Sequence, residues 1–451
     1  MTTPFSFDLL LVFGFLSIML LLGVTLRAWM PFFQKLLFPS SLIGGLIGLV
    51  LINLGVISLD IDIIKAFAYH FFNISFISVG LTPPELKEKK QSKEKKILKG
   101  SLWMALVQAV TFPMQAIIGS VIVLFFILGG KTIFKTFGFL MPLGFNEGPG
   151  QALSFGKVWE TAGFSDASTI GLTFATLGFF FAFFIGVPLA NRGLKKEKFK
   201  KKPLPPFLLK GILPKGESSK SAGSLTTHSA SLDSLAFHIA QIGLVYLITY
   251  FFLSFLSGLL PNDMSSMIWG FFFLFGLVVA ILIRVLFQAS PFGRLLNHPL
   301  QRRITGTSID YLIVATGCGI ELVVVGKHVA PLILIAVTGG ILTTLVVLLL
   351  GKNLSDYKLE RTVSIYGVVT GTVSTGLMLL RIVDPELKTP AAREIGFMNI
   401  FAVPIVGGLT CLLNAPFWWN WSLAVTCLVL GLILLTALIF LLNRRLWKNN
   451  N

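Results

Sequence analysis

A chain of 451 residues that is 54% hydrophobic and only 13% charged lies outside the range of soluble domains, where about a quarter of residues are charged. With a mean hydropathy of +0.83 and apolar runs from end to end, it reads as an all-α polytopic membrane protein. The net charge of +17 raises nucleic-acid binding, but the lysines cluster between apolar runs, where they set membrane orientation instead.

The N-terminal MTTPFSFDLLLVFGF has no basic segment before its apolar run, so residues 7–27 read as a first span and not as a cleaved signal. A second span is expected over 38–57, with Gly44, Gly45 and Gly48 as close-packing positions. A third, over 61–81, carries His70, Asn73, Ser75 and Ser78. The lysine-rich run from Lys87 to Lys99 then marks a cytoplasmic loop. A fourth span covers 101–128, with Pro113 as a kink position, and a fifth covers 169–189.

Between the fourth and fifth spans, residues 135–158 are apolar yet broken. Their centre, Gly144-Phe145-Asn146-Glu147-Gly148-Pro149-Gly150-Gln151, cannot hold a regular helix. Residues 191–233 are basic and then Ser-rich, the composition of a flexible cytoplasmic linker. Spans follow over 235–259, 267–287, 311–325, 332–350 and 395–413. A last one, over 422–442, comes after the aromatic belt of Trp418, Trp419 and Trp421. The cysteines Cys318, Cys411 and Cys427 sit in apolar segments and predict neither a disulfide framework nor a metal cluster.

A second broken stretch, GVVTGTVSTGLMLLRIVDP, runs from Gly367 to Pro385. Glycines and hydroxyls weaken its helix, and Lys352, Lys358, Arg361, Arg381, Lys388 and Arg393 put both its ends on the inner side. Two explanations compete. Gly367 and Gly371 have the spacing of a helix-packing seam, while broken backbone at membrane depth also forms re-entrant hairpins that line a polar site. The paired positions favour the hairpin: Gly144 and Gly148 match Gly367 and Gly371 at one offset, and each half has an odd number of crossings.

The expected fold is therefore two inverted five-span repeats, each with a re-entrant hairpin, plus one extra C-terminal span. The repeats cover 1–190, with a hairpin at about 135–158, and 234–415, with a hairpin at about 363–381; 416–451 holds the extra span and a basic tail. The N-terminus is expected outside and the C-terminus in the cytoplasm.

The run Thr370-Gly371-Thr372, Ser374-Thr375-Gly376 and LMLLRIVDPELKTPAA resembles the second hairpin region of the bacterial sodium/glutamate symporter family. The layout is also similar to the related citrate and 2-hydroxycarboxylate carriers. The resemblance implies a homodimeric, elevator-type secondary transporter of the inner (plasma) membrane that moves glutamate or a similar dicarboxylate with Na+ and needs no cofactor. The first hairpin departs from the family pattern, with a bulky Phe145 and the added acid Glu147 at its tip.

A dicarboxylate in a membrane site needs donors and positive potential, which the N-terminal ends of broken helices supply. Thr370, Thr372, Ser374 and Thr375 offer hydroxyls; Gly148, Gly371 and Gly376 allow close backbone approach; Gln151 and Arg381 are further candidates for the substrate. Arg381 also fits the simpler role of an inner-side charge. Sodium needs hard oxygen ligands, for which Asn146, Glu147, Ser154 and Glu321 are candidates. Glu147 could instead carry a proton. Asp310 reads as a helix N-cap or charge partner at the inner interface. His70, on the third span, reads as a packing residue. Gly130-Lys131-Thr132 is no phosphate loop, since Phe125 stands where the earlier glycine belongs, and HExxH, CxxC and GxSxG are absent, so an enzyme is not expected. The alternatives are an H+- or Na+-coupled carrier of another organic anion such as a 2-hydroxycarboxylate, or a passive channel or receptor.

Overall fold

The structure is a computed structural model that describes residues 6–82, 91–196, 204–214, 223–385, 387–443 and 447. The lysines Lys87, Lys89 and Lys90 and the basic segment Lys198 to Lys202, used above to orient the chain, lie outside the described residues.

Helices account for the regular structure of the described residues. In order they are α1 (Asp8–Trp29), α2 (Pro31–Lys35), α3 (Ser40–Asn53), α4 (Ile61–Leu81), α5 (Gln91–Leu128), α6 (Leu140–Phe145), α7 (Pro149–Thr161), α8 (Ala167–Phe181), α9 (Val187–Lys196) and α10 (Pro206–Lys210). Then come α11 (Ser234–Leu259), α12 (Asn262–Ser265), α13 (Phe272–Ala289), α14 (His298–Cys318), α15 (Leu322–Lys327), α16 (Val329–Gly351), α17 (Lys358–Val369), α18 (Val373–Val383), α19 (Ala391–Leu413), α20 (Ala415–Trp418) and α21 (Leu423–Leu442). Side chains at the starts set several boundaries: Asp60 caps α4, Asp233 caps α11, Asn297 caps α14 and Ser422 caps α21, each accepting a backbone N–H of the first turn.

Among the described residues, 9 helices are long and apolar enough to cross a membrane, α8 and α9 counting as one. Two of the expected spans differ. Helix α3 has 14 residues and is therefore about 21 Å long, short of the roughly 30 Å hydrocarbon core. Helix α14 starts at His298, well before the expected 311, because Asn297 caps it and the Pro that follows His298 suits its first turn. Asp310 accordingly lies in the middle of α14, which corrects its reading as an N-cap.

The helices sort into two bundles. One packs α1, α3, α4, α11, α13 and α14 together; the other packs α16, α19 and α21 around α5 and holds the short helices α6, α7, α17 and α18. Glycines let the first bundle close: a Cβ on Gly45 would come within 3.1 Å of the Ile313 carbonyl on α14. The bundles meet chiefly along α7, where Phe72 of α4 lies over Gly150 and the Phe155 and Phe271 rings sit edge to face at 4.9 Å.

Both broken stretches are helix–turn–helix units. In the second, α18 folds back on α17, so that a Cβ on Gly367 would come 2.8 Å from the Gly376 Cα. The glycine spacing thus serves as a packing seam between the two arms of a helix–turn–helix unit. In the first unit, α6 and α7 are joined through Gly148, whose φ of 84° is a conformation that only glycine adopts without strain.

Candidate functional site

The two turns face each other in the interior. A Cβ on Gly148 would come 2.8 Å from Thr372 Cγ2 and 3.1 Å from the Gly371 carbonyl. Two long helices hold the turns in place. On α8, Gly178 is the crossing point: a Cβ there would lie 2.8 Å from the Thr370 carbonyl of one unit and 3.3 Å from Phe145 Cα of the other. On α5, Gln108, Thr111 and Gln115 form a buried polar stripe at helical spacing around Pro113. Asn146 Nδ2 donates to Thr111 Oγ1 at 2.8 Å, and Gln108 Nε2 donates to Asn146 Oδ1 at 3.4 Å. Gln115 Nε2 donates to Thr343 Oγ1 at 3.0 Å and to the Val369 carbonyl at 3.3 Å, which satisfies an end of α17 that the turn leaves open.

The second turn uses most of its hydroxyls on itself. Thr370 Oγ1 is buried and donates to the Tyr366 carbonyl at 2.7 Å. Thr372 is the N-cap of α18 and accepts from the Thr375 N–H at 3.4 Å, while the two hydroxyls lie 3.2 Å apart. The Gly376 N–H donates to the Thr372 carbonyl at 3.0 Å. Among the described residues, that leaves the N–H groups of Val373 and Ser374 as the open donors of a helix N-terminus. Ser374 itself is half-buried.

The first turn presents acceptors. Gln151 Nε2 donates to Glu147 Oε2 at 2.8 Å. The other oxygens of both side chains, Glu147 Oε1 and Gln151 Oε1, are buried and have no hydrogen-bond partner among the described residues. Ser154, one turn further along, donates to the Gly150 carbonyl at 2.8 Å.

The remaining candidates lie elsewhere. Glu321 stands at the start of α15 and pairs with Lys65 at 2.8 Å, with Thr169 Oγ1 bonded to both. Thr169 and Gly178 are about 13 Å apart along α8 at 1.5 Å per residue, so this pair is separate from the turns. Arg381 is exposed in the last turn of α18, the end away from Thr372. The foot of the second unit is instead fixed by Arg361, whose Nε and Nη2 hold the two carboxylate oxygens of the fully buried Glu394 at 2.7 Å and 2.5 Å. His70 Nδ1 lies 2.6 Å from the Tyr246 hydroxyl, within the first bundle.

Sequence reasoning missed Gln108, Thr111, Gln115 and Thr343. The signal was available: three polar residues on one face of an otherwise apolar span, flanking a proline. It missed Lys65 and Glu394 because a buried ion pair shows only when its partner, far away in sequence, is known.

Long apolar helices in two bundles, one of which encloses two facing helix–turn–helix units, define a multi-pass membrane protein of the transporter class. The family described as sodium/glutamate symporter matches residues 5–350, and the chain belongs to that family. The matched span ends before α17, so the second unit lies beyond it. No curated protein matches the chain.

Proposed function

We propose that the protein is a Na+-coupled symporter of glutamate or a similar dicarboxylate, working by elevator-type alternating access. Membership of the sodium/glutamate symporter family supports the ion and the substrate. The observation that carries the site is the approach of the two turns, which sets the open N-terminus of α18 opposite the acceptors of α7. A substrate carboxylate would take the N–H groups of Val373 and Ser374 and the hydroxyl of Ser374, with Gly371 and Gly148 giving room and Thr372 and Thr375 shaping the turn, while Gly376 is used in the packing of α18 on α17. Asn146, Ser154 and turn carbonyls would offer oxygens to sodium. Glu147 would face a transported positive charge. Glu321 and Arg381 stand apart from the turns, and the proposed site is built without them.

In this reading the halves are inverted repeats, and the two units are re-entrant hairpins that enter from opposite sides. The bundle containing them moves against the other, which carries the homodimer contact. The protein lies in the inner (plasma) membrane with its N-terminus outside and its C-terminus in the cytoplasm. The division into two bundles supports the elevator, since helix packing is denser within each bundle than between them.

Uptake of labelled glutamate into proteoliposomes tests the proposal. An inward Na+ gradient should drive accumulation above equilibrium. Flux that only equilibrates would indicate a channel, and accumulation driven by a proton gradient alone would indicate the other coupling.

A further inference from the structure

We propose that Glu147 and Gln151 form the receptor for the substrate's ammonium group, so that the site selects amino dicarboxylates over dicarboxylates without an amine. This rests on the dicarboxylate site proposed above and goes one step further, by separating the parts of the substrate that each turn holds.

The two side chains lie one helical turn apart across the start of α7. One of the two N–H groups on Gln151 Nε2 is spent between them, on Glu147 Oε2 at 2.8 Å. That bond orients both residues and leaves two buried oxygens, Glu147 Oε1 and Gln151 Oε1, without a partner among the described residues; with Glu147 ionised, as opposite a bound cation, both are acceptors. Gln151 itself is 4% exposed. A buried acceptor without a donor is costly, and a carboxylate oxygen more so than an amide. A primary ammonium, with three N–H groups and one positive charge, matches such a pair.

Position selects the ammonium over a bare cation. In an α-amino acid, the ammonium and carboxylate hang from one carbon, so their receptors must be neighbours. Here the residue between the acceptors, Gly148, packs against Thr372 and Gly371, directly before the open donors of α18. Acceptors and anion-binding helix end thus meet across a single contact, the arrangement that a zwitterion requires. A hydroxyl in place of the ammonium would bring one donor and no charge, leaving Glu147 uncompensated.

Substrate protection against thermal unfolding, measured at saturating Na+ on the purified full-length protein, reads affinity even where transport is lost. The ligands are glutamate, glutarate and 2-hydroxyglutarate. The wild type should prefer glutamate over glutarate by about ten- to hundredfold, the worth of one hydrogen bond to a charged group. Glu147→Gln should collapse that preference while the Na+ concentration giving half-maximal protection stays in place, and Gln151→Met should reduce it less. An unchanged preference in Glu147→Gln overturns the inference. So does a retained preference with a shifted Na+ requirement, which would make Glu147 a ligand of the coupling ion. If Glu147→Gln does not assemble, the preference in Gln151→Met decides. A wild type protected by none of the three ligands would overturn the dicarboxylate site itself, which is a different result from protection without amine selectivity.

Discussion

The two helix–turn–helix units look alike in sequence, yet they offer opposite chemistry. The α17–α18 turn is rich in hydroxyls, but Thr370 bonds back to its own helix and Thr372 serves as a cap, so its free groups are the N–H donors and Ser374. The α6–α7 turn has few polar residues: Asn146 is bonded to α5, while Glu147 and Gln151 end in acceptors that have no partner among the described residues. The units also differ at their feet. The second is held by the buried Arg361–Glu394 ion pair; the first by the more exposed pairing of Lys157 with Asp62 and Glu160, together with Trp159 Nε1 to Asn414 Oδ1 at 2.7 Å and Ser168 Oγ to Glu160 Oε1 at 2.6 Å. Counting hydroxyls therefore misjudges which atoms face a ligand. What matters is which donors and acceptors remain after the backbone has taken its share.

Substitutions at the feet and turns can break this comparison. The largest effect is expected at the foot of the second unit: Glu394→Ala strands a buried guanidinium and should cost about 3–5 kcal/mol, seen as a large fall in unfolding temperature or loss of the assembled protein. Next is Ser374→Ala, which removes an open donor and should weaken apparent glutamate affinity in uptake titrations by roughly tenfold or more, with little change in stability. Trp159→Phe at the other foot should cost about 1–3 kcal/mol in thermal unfolding, since it leaves the buried Asn414 Oδ1 without its donor. Thr370→Val should leave affinity unchanged and lower stability by at most about 1 kcal/mol, since its hydroxyl serves its own helix. An affinity loss there would return Thr370 to the binding set. Smallest is Arg381→Gln, exposed and remote, expected within about 0.5 kcal/mol in stability and near wild-type in affinity.

Much of the architecture was legible because apolar runs and helix breakers act locally. Residues 61–81 were expected as a span and form α4, and a break between Gly144 and Gln151 was visible, though it is confined to Asn146–Gly148 because Gly144 and Phe145 end α6 and Pro149 opens α7. The short α3 and the early start of α14 were not visible, since one depends on where neighbours end a helix and the other on a cap, Asn297, that lies outside the apolar pattern. Nor was the π-helical turn Ala182–Gly186 after α8, beside which the Tyr366 hydroxyl donates to the Phe181 carbonyl at 3.3 Å. At the site, residue types pointed to the two turns, but hydrogen-bond partners belong to the tertiary structure. Gln115 binding the Val369 carbonyl, and Lys65 neutralising Glu321, join residues hundreds of positions apart.

The central claim is that both turns border one substrate site. Its most direct test places single cysteines at Gln151 and at Ser374, in a background where Cys318, Cys411 and Cys427 are replaced by serine, and follows labelling by a small aqueous thiol reagent. Both positions should react in the absence of substrate, and saturating glutamate with Na+ should protect both together. Protection at one position only, or labelling at both that glutamate does not change, would contradict a shared site.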